Sequence, residues 1–301
     1  MVVPPLTLAS LALATLVIAA LPFLLYRQLR RPLALRPRDA IAGVAVFALF
    51  AMVIERALND YLLRGNAATA AFLSQPLAFV VYGALVAGVC EEVGRFFGMR
   101  LLMKRAATRP AVRRKSSVDA PTGVAASAGA NAAASPSADA DTRTAALRAD
   151  DGAALSYGLG HGGAEAWMVG VLVQFQWLLF AVLENRGQLG DYLGNLPAEA
   201  VMRVHLILAS LTPQLAGIFA LERVAALVFQ IGLSVLMWRG VRAGSRAILP
   251  LAIVVHALID APAAMTQARL LPLAAVDTIY AVAAVFVAGL LIRSYRRPAA
   301  A

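Results

Sequence analysis

Seven stretches of this chain are apolar over roughly the length that crosses a bilayer, separated by polar breaks of unequal length. They are 6–26, 40–62, 77–100, 153–183, 213–238, 247–265 and 271–292. A helix needs about 20 predominantly apolar residues to cross the hydrocarbon core. The pattern predicts an all-α fold, a polytopic membrane bundle of about seven transmembrane helices. The fourth stretch is long, so its ends are expected outside the core. Leu6 to Tyr26 has the length of a signal peptide. It lacks a basic stretch before it and is followed by positive charge, so it reads as a first spanning helix.

Composition agrees with this pattern. The chain has 301 residues, of which 60% are hydrophobic and 15% charged. Soluble domains average about 45–50% apolar and about 25% charged. The formal charge of +10 invites a nucleic-acid partner, but its placement argues against one. Arginines cluster just outside the apolar stretches, in the 27–38 loop, after the third stretch, at Arg239, Arg242 and Arg246, and in the tail at Arg293, Arg296 and Arg297. In a seven-span arrangement all four clusters fall on one side. The positive-inside rule then puts the N-terminus out and the C-terminus in, within a multi-pass protein of the cell (inner) membrane.

Between spans 1–3 (1–105) and spans 4–7 (151–301) lie residues 106–150, rich in Ala, Ser, Asp, Thr and Pro. That composition cannot bury a core and predicts a disordered cytoplasmic linker. Residues 185–212 read as an external loop, with Pro197 to Leu208 as a short interfacial helix. A single cysteine, Cys90, excludes an internal disulfide and reads as a small packing residue.

Three segments carry ionisable residues inside these apolar stretches: Glu91-Glu92-x-x-Arg95, Gly158-x-Gly160-His161-Gly162-Gly163-x-Glu165 and His256-x-x-x-Asp260. A charge at mid-membrane costs about 2.5–3.5 kcal/mol on insertion scales, so such residues face a bundle interior and mark an ion path or a reactive site. Their depths agree. Glu91 stands nine residues before Arg100, His161 ten after Asp151, His256 ten after Arg246, and Gln230 nine before Arg239. Ten residues at 1.5 Å are about 15 Å, half the hydrocarbon core. Helical spacing puts Glu91 and Glu92 on a face with Arg95, His161 with Glu165, and His256 with Asp260. Arg95 holds one carboxylate ionised, and the other becomes a candidate general base. The imidazoles of His161 and His256 can bind a metal or hold a water. Glu165 and Asp260, one turn away, can fix their tautomers.

The glycines around His161 admit two readings: close helix packing through small residues, or a loosened helix where a substrate segment enters. Glu222-Arg223 and Asp277 lie nearer the outer side and read as mutual ion pairs. Glu55-Arg56 is placed to snorkel to the interface, and His205 reads as a surface residue. No internal repeat is evident.

Together these motifs resemble the YhfC family of intramembrane metalloproteases, which is grouped with the CAAX-processing and PrsW-like membrane peptidases. The resemblance covers nearly all the chain outside the linker. It implies a membrane-embedded hydrolase that cuts peptide bonds of a membrane-protein or peptide substrate. Glu91 or Glu92 would activate water beside Arg95. His161 and His256 would bind a divalent metal, zinc first among candidates, or orient the water. Glu165, Asp260, Gln230 and Glu222 would support them. Gln230 departs from the family pattern, which often places a histidine after the Glu-Arg pair; an amide is a poor zinc ligand. Glu92 or Glu165 with the two histidines could still supply three ligands. No HExxH is present. The site is expected to open toward the cytoplasm. Two other functions fit the same residues, a proton-coupled transporter and a catalytically inactive pseudoprotease.

Overall fold

The computed structural model describes residues 2–107 and 136–295. Among the described residues every regular element is helical. Seven helices are long and apolar enough to cross a membrane: span 1 (Pro5–Leu29), span 2 (Pro37–Gly65), span 3 (Pro76–Arg105), span 4 (Asp151–Asn185), span 5 (Pro213–Arg242), span 6 (Ile248–Gln267) and span 7 (Leu273–Tyr295). They coincide with the seven apolar stretches of the sequence.

Local chemistry sets the boundaries. Proline opens spans 1, 2, 3 and 5, where its missing N–H would have had no helical partner. Thr212 caps span 5 by accepting a hydrogen bond from the Leu215 N–H at 3.2 Å. Gly244, at φ +68°, makes the tight turn between spans 5 and 6. In the loop between spans 4 and 5 a helix covers Ala198–Ser210, close to the predicted segment. Within the expected linker, the helix that leads into span 4 already begins at Pro136. Alanine-rich sequence has helix propensity even where it builds no core. Residues 108–135 of that stretch lie outside the described residues.

Span 4 is the axis of the bundle. Its first half packs against span 2 on one side and span 5 on the other, while span 3 packs along span 6 and span 5 also contacts spans 1 and 7. Gly152 to Ala164 are all buried. The glycines make this approach possible. A Cβ on Gly160 would lie 2.0 Å from the Ala40 carbonyl oxygen, and one on Gly158 would lie 2.8 Å from the Ile231 Cα. The helix runs unbroken through Glu165. The segment therefore shows close packing and not an unwound point of substrate access.

The two ends of the bundle differ. At the arginine-rich end an apolar core fills the space between helices, with Met99, Leu102, Tyr157, Met237 and Trp238 buried together. Toward the opposite end span 2 passes through two π-helical turns, Phe50–Glu55 and Tyr61–Gly65, and span 4 through one, Ala166–Val171. Such turns often accompany functional sites. The outer surface of the spans is apolar, with Leu13, Leu16, Leu258, Val285 and Phe286 exposed to the surroundings that lipid would supply.

Candidate active site

Within about one and a half turns, span 3 carries Glu91, Glu92 and Arg95 against side chains of spans 4, 5 and 6. Glu91 Oε2 lies 2.9 Å from His161 Nε2. It also accepts a hydrogen bond from Gln230 Nε2 at 2.9 Å. Glu92 Oε1 lies 2.8 Å from His256 Nδ1 and 2.9 Å from Arg95 Nη1. Arg95 Nη2 donates to Gln230 Oε1 and stands 3.8 Å from Glu91 Oε2. His256 Nε2 is 3.4 Å from Asp260 Oδ2. Glu165 accepts from Gln230 Nε2 at 2.9 Å and from Arg223 Nη1 at 3.1 Å. Four spans thus contribute to one continuous polar network.

The network lies deep in the protein. Glu92, Arg95 and His161 are fully buried, and Glu91, Gln230 and His256 nearly so. Buried charges are tolerated only when paired and hydrogen-bonded. The arrangement of carboxylate, imidazole, guanidinium and amide meets that condition.

Two pairings differ from expectation. His161 is oriented by Glu91 of span 3 and not by Glu165 of its own helix, because its ring reaches across to span 3 while Glu165 turns to span 5. Arg223 pairs with Glu165 and not with Asp277, whose buried Oδ1 has no hydrogen-bond partner. Glu222 stands on the wall of the adjoining cavity. His205, expected to be a plain surface residue, lies 3.4 Å from Glu184.

That cavity has a volume of about 210 Å³ and is bounded by Glu91, Glu165, Arg223, Gln230, His256 and Asp260, with Tyr280 of span 7. A site this roomy and polar can hold several waters. Glu92, Arg95 and His161 lie behind its wall. The lining runs from the network mainly away from the arginine-rich loops, as far as Glu222 and Ala263, and only to Leu233 in the other direction. The cavity therefore does not run toward the arginine-rich end, as the sequence suggested; buried Met99, Tyr157 and Met237 stand between it and a separate cavity there. A second cavity, about 380 Å³, lies on the other side of Asp260 and is lined by Glu55, Asn59, Tyr82 and Gln267. Glu55 thus turns inward instead of snorkelling. Its position inside an apolar stretch was the available signal for this cavity. Tyr82, Asn59 and Tyr280 carried none.

The residues can be tested for a metal. Among the described residues no three His, Cys, Asp or Glu side chains are placed to hold one ion. Both ring nitrogens of His256 face carboxylates. His161 uses Nε2 for Glu91, and its Nδ1 is buried without a hydrogen-bond partner. Phe47 and Tyr157 pack against that ring, with centroids at 5.2 and 6.1 Å. The guanidinium of Arg95 already brings positive charge to the carboxylates. A catalytic zinc wants three protein ligands around an open position. The side chains as arranged form two separate carboxylate–imidazole pairs and do not fit that requirement.

A family model described as YhfC intramembrane metalloprotease matches residues 17–112 and 143–281. A Bacillus subtilis (strain 168) protein described as the uncharacterized membrane protein YhfC is 29% identical over 250 residues, spanning 80% of this chain and 78% of the relative. No solved structure matches the chain.

Proposed function

The chain belongs to the YhfC intramembrane metalloprotease family, and from the geometry of its buried network we propose that it is an intramembrane peptidase in which Glu91 activates the hydrolytic water. The observation that carries this reading is the position of Glu91. Its carboxylate is held from behind by His161, Gln230 and Arg95, yet reaches the wall of a cavity large enough for water and a peptide carbonyl.

The step follows from that position. Water attacks the carbonyl carbon of the scissile bond, its proton passes to the Glu91 carboxylate, and Glu91 returns that proton to the leaving amine. General acid–base transfer of this kind contributes about 10²–10⁴-fold. His256, the imidazole on the cavity wall, keeps Nδ1 on Glu92 and turns its Nε2–H from the longer 3.4 Å contact with Asp260 to the developing oxyanion. A positioned donor there is worth about 10²–10³-fold. Glu92 and Arg95, behind the wall, hold His256 and Gln230 in place. No step is routed through a metal, because the donor set does not form a three-ligand site.

The substrate is a membrane protein or a peptide derived from one. The arginine-rich loops put that end of the bundle on the cytoplasmic side of the cell membrane, with the N-terminus outside. The test is cleavage of a model membrane peptide by the purified protein. Wild type is expected to cut it, and Glu91→Ala and His161→Ala to lose the activity. Cleavage at the wild-type rate in both variants overturns the assignment.

A further inference from the structure

The two polar cavities that Asp260 joins lie on one side of the network, and a separate one at the arginine-rich end, lined by Arg36, Asp39 and Arg242, shares no residue with either. The first is bounded by Glu91, His256 and Asp260, the second by Glu55, Asn59, Tyr82 and Gln267, and the two share Asp260 and Ala263. The second reaches the end of the bundle opposite the arginine-rich loops, where Gln267 is exposed. Between the network and the arginine-rich end, buried Met99, Tyr157 and Met237 close the interior.

The wall of the second cavity includes a stretch of span 2 that packs little on span 3. Span 2 packs on span 3 through Pro37–Leu49 and the π-helical turn Phe50–Glu55, and the chain touches span 3 again at Ala67–Leu73. Between these contacts, Arg56–Gly65 makes no comparable packing with span 3. A hydrogen bond from the Tyr82 hydroxyl to Asn59 bridges the gap. π-Helical turns flank this stretch on both sides. The cavity lining offers what an extended peptide needs: amides of Asn59 and Gln267, the Tyr82 hydroxyl and the Glu55 carboxylate. An apolar groove elsewhere on the bundle, beside Gly160 and Gly163, offers none of these.

We propose that the cavity between span 2, span 3 and span 6 is the route by which water and an unwound segment of the substrate reach Glu91, from the face opposite the arginine-rich loops. The peptide passes Asn59 and Tyr82, crosses at Asp260 and Ala263, and presents its carbonyl to the first cavity. This inference rests on the peptidase reading for its substrate but not for the route itself. It implies that the enzyme cuts near the external end of a substrate's membrane segment.

Thiol labelling tests the route without needing turnover. In the full-length protein with Cys90→Ala, single cysteines are placed at Asn59 and Ala263 in the cavity. Leu258, facing lipid, and Ala154, fully buried between helices, serve as controls. The protein is reconstituted in one orientation and treated with a membrane-impermeant thiol reagent from the external face. Asn59→Cys and Ala263→Cys are expected to react about tenfold or more faster than the controls, because a thiol in apolar surroundings does not form the reactive thiolate. With Glu91→Gln added, a synthetic peptide with one apolar span and a polar flank is expected to slow labelling at Ala263→Cys.

Cavity positions that label no faster than the controls, or only from the arginine-rich side, overturn the proposal. So does a peptide that wild type cleaves but that leaves labelling at Ala263→Cys unchanged. Labelling and protection without any cleavage uphold the route and remove the peptidase reading instead. Gel filtration confirms that each variant is folded, and the two cavity positions are independent of one another.

Discussion

Span 3 offers two adjacent glutamates, each joined to an imidazole from another helix, and the two pairs are not equivalent. Glu91 with His161 backs onto a polar cavity, and its carboxylate forms part of the wall. Glu92 with His256 is turned the other way. The carboxylate is sealed from the cavity and bound to Arg95, and the imidazole is the partner that reaches the wall. One pair thus exposes its base and hides its ring; the other hides its acid and exposes its ring. Adjacent residues on a helix differ by about 100° in direction, so two neighbouring glutamates cannot share one role.

The largest test of this asymmetry is Glu91→Gln against Glu92→Gln. Glu91→Gln keeps the shape and removes the base, so peptide cleavage should fall by about 10²–10⁴-fold while thermal unfolding of the purified protein stays near wild type. Glu92→Gln should lower the unfolding temperature, with activity falling in proportion to folded protein. The reverse pattern would exchange the two roles.

Removing the shared guanidinium comes next. Arg95→Met leaves both carboxylates buried without their cation. Breaking a buried ion pair by deleting one partner costs about 3–5 kcal/mol. The loss should appear as a lower midpoint in denaturant titration, and Arg95→Lys should recover only part of it, since an ammonium cannot match the guanidinium's fork.

The helix contacts behind each imidazole give a smaller contrast. Gly160→Ala drives a methyl into the Ala40 carbonyl, an overpacking expected to cost about 1–3 kcal/mol and to displace His161. Gly88→Ala, on the span 3 side of His256, meets the Ile253 carbonyl oxygen at 3.1 Å and should be milder. Equal losses of stability in the two variants would show that the pairs are equally constrained.

Metal content is the smallest expected change for wild type and a sharp one for a variant. Wild type purified without added metal should hold no stoichiometric zinc by elemental analysis, and chelators should leave cleavage unchanged. Gln230 and His161 both touch the same oxygen of Glu91 at 2.9 Å. Gln230→His should therefore bring three metal-binding side chains around one point and confer zinc binding, read by calorimetry. Stoichiometric zinc in wild type would overturn the metal-free step.

Much of this was legible in the sequence because lipid imposes simple rules. Seven apolar stretches gave seven helices, since backbone groups in hydrocarbon must be satisfied within their own segment. Glu91, His161, Gln230 and His256 could be placed at one depth by counting from arginines, since helical rise converts residue number into height. What height does not contain is azimuth. Helical spacing paired His161 with Glu165, but the packing of span 4 against spans 2 and 5 turned the imidazole to Glu91 and left Glu165 for Gln230 and Arg223. The second cavity was hidden for a related reason. Its wall joins Glu55, Tyr82 and Gln267 from three helices, and no segment of sequence shows that they meet.

The sequence by itself determined that the chain is a seven-helix membrane bundle with a mid-depth band of carboxylates, imidazoles and an arginine, because hydrophobic length and helical rise are properties of one strand of residues. Only the tertiary structure decided which carboxylate lines the central cavity, which imidazole it shares a bond with and toward which end that cavity runs. Those are settled by how side-chain volumes fill the gaps between helices, as Met99 and Tyr157 close one side of the network and the stand-off of Arg56–Gly65 leaves room on the other.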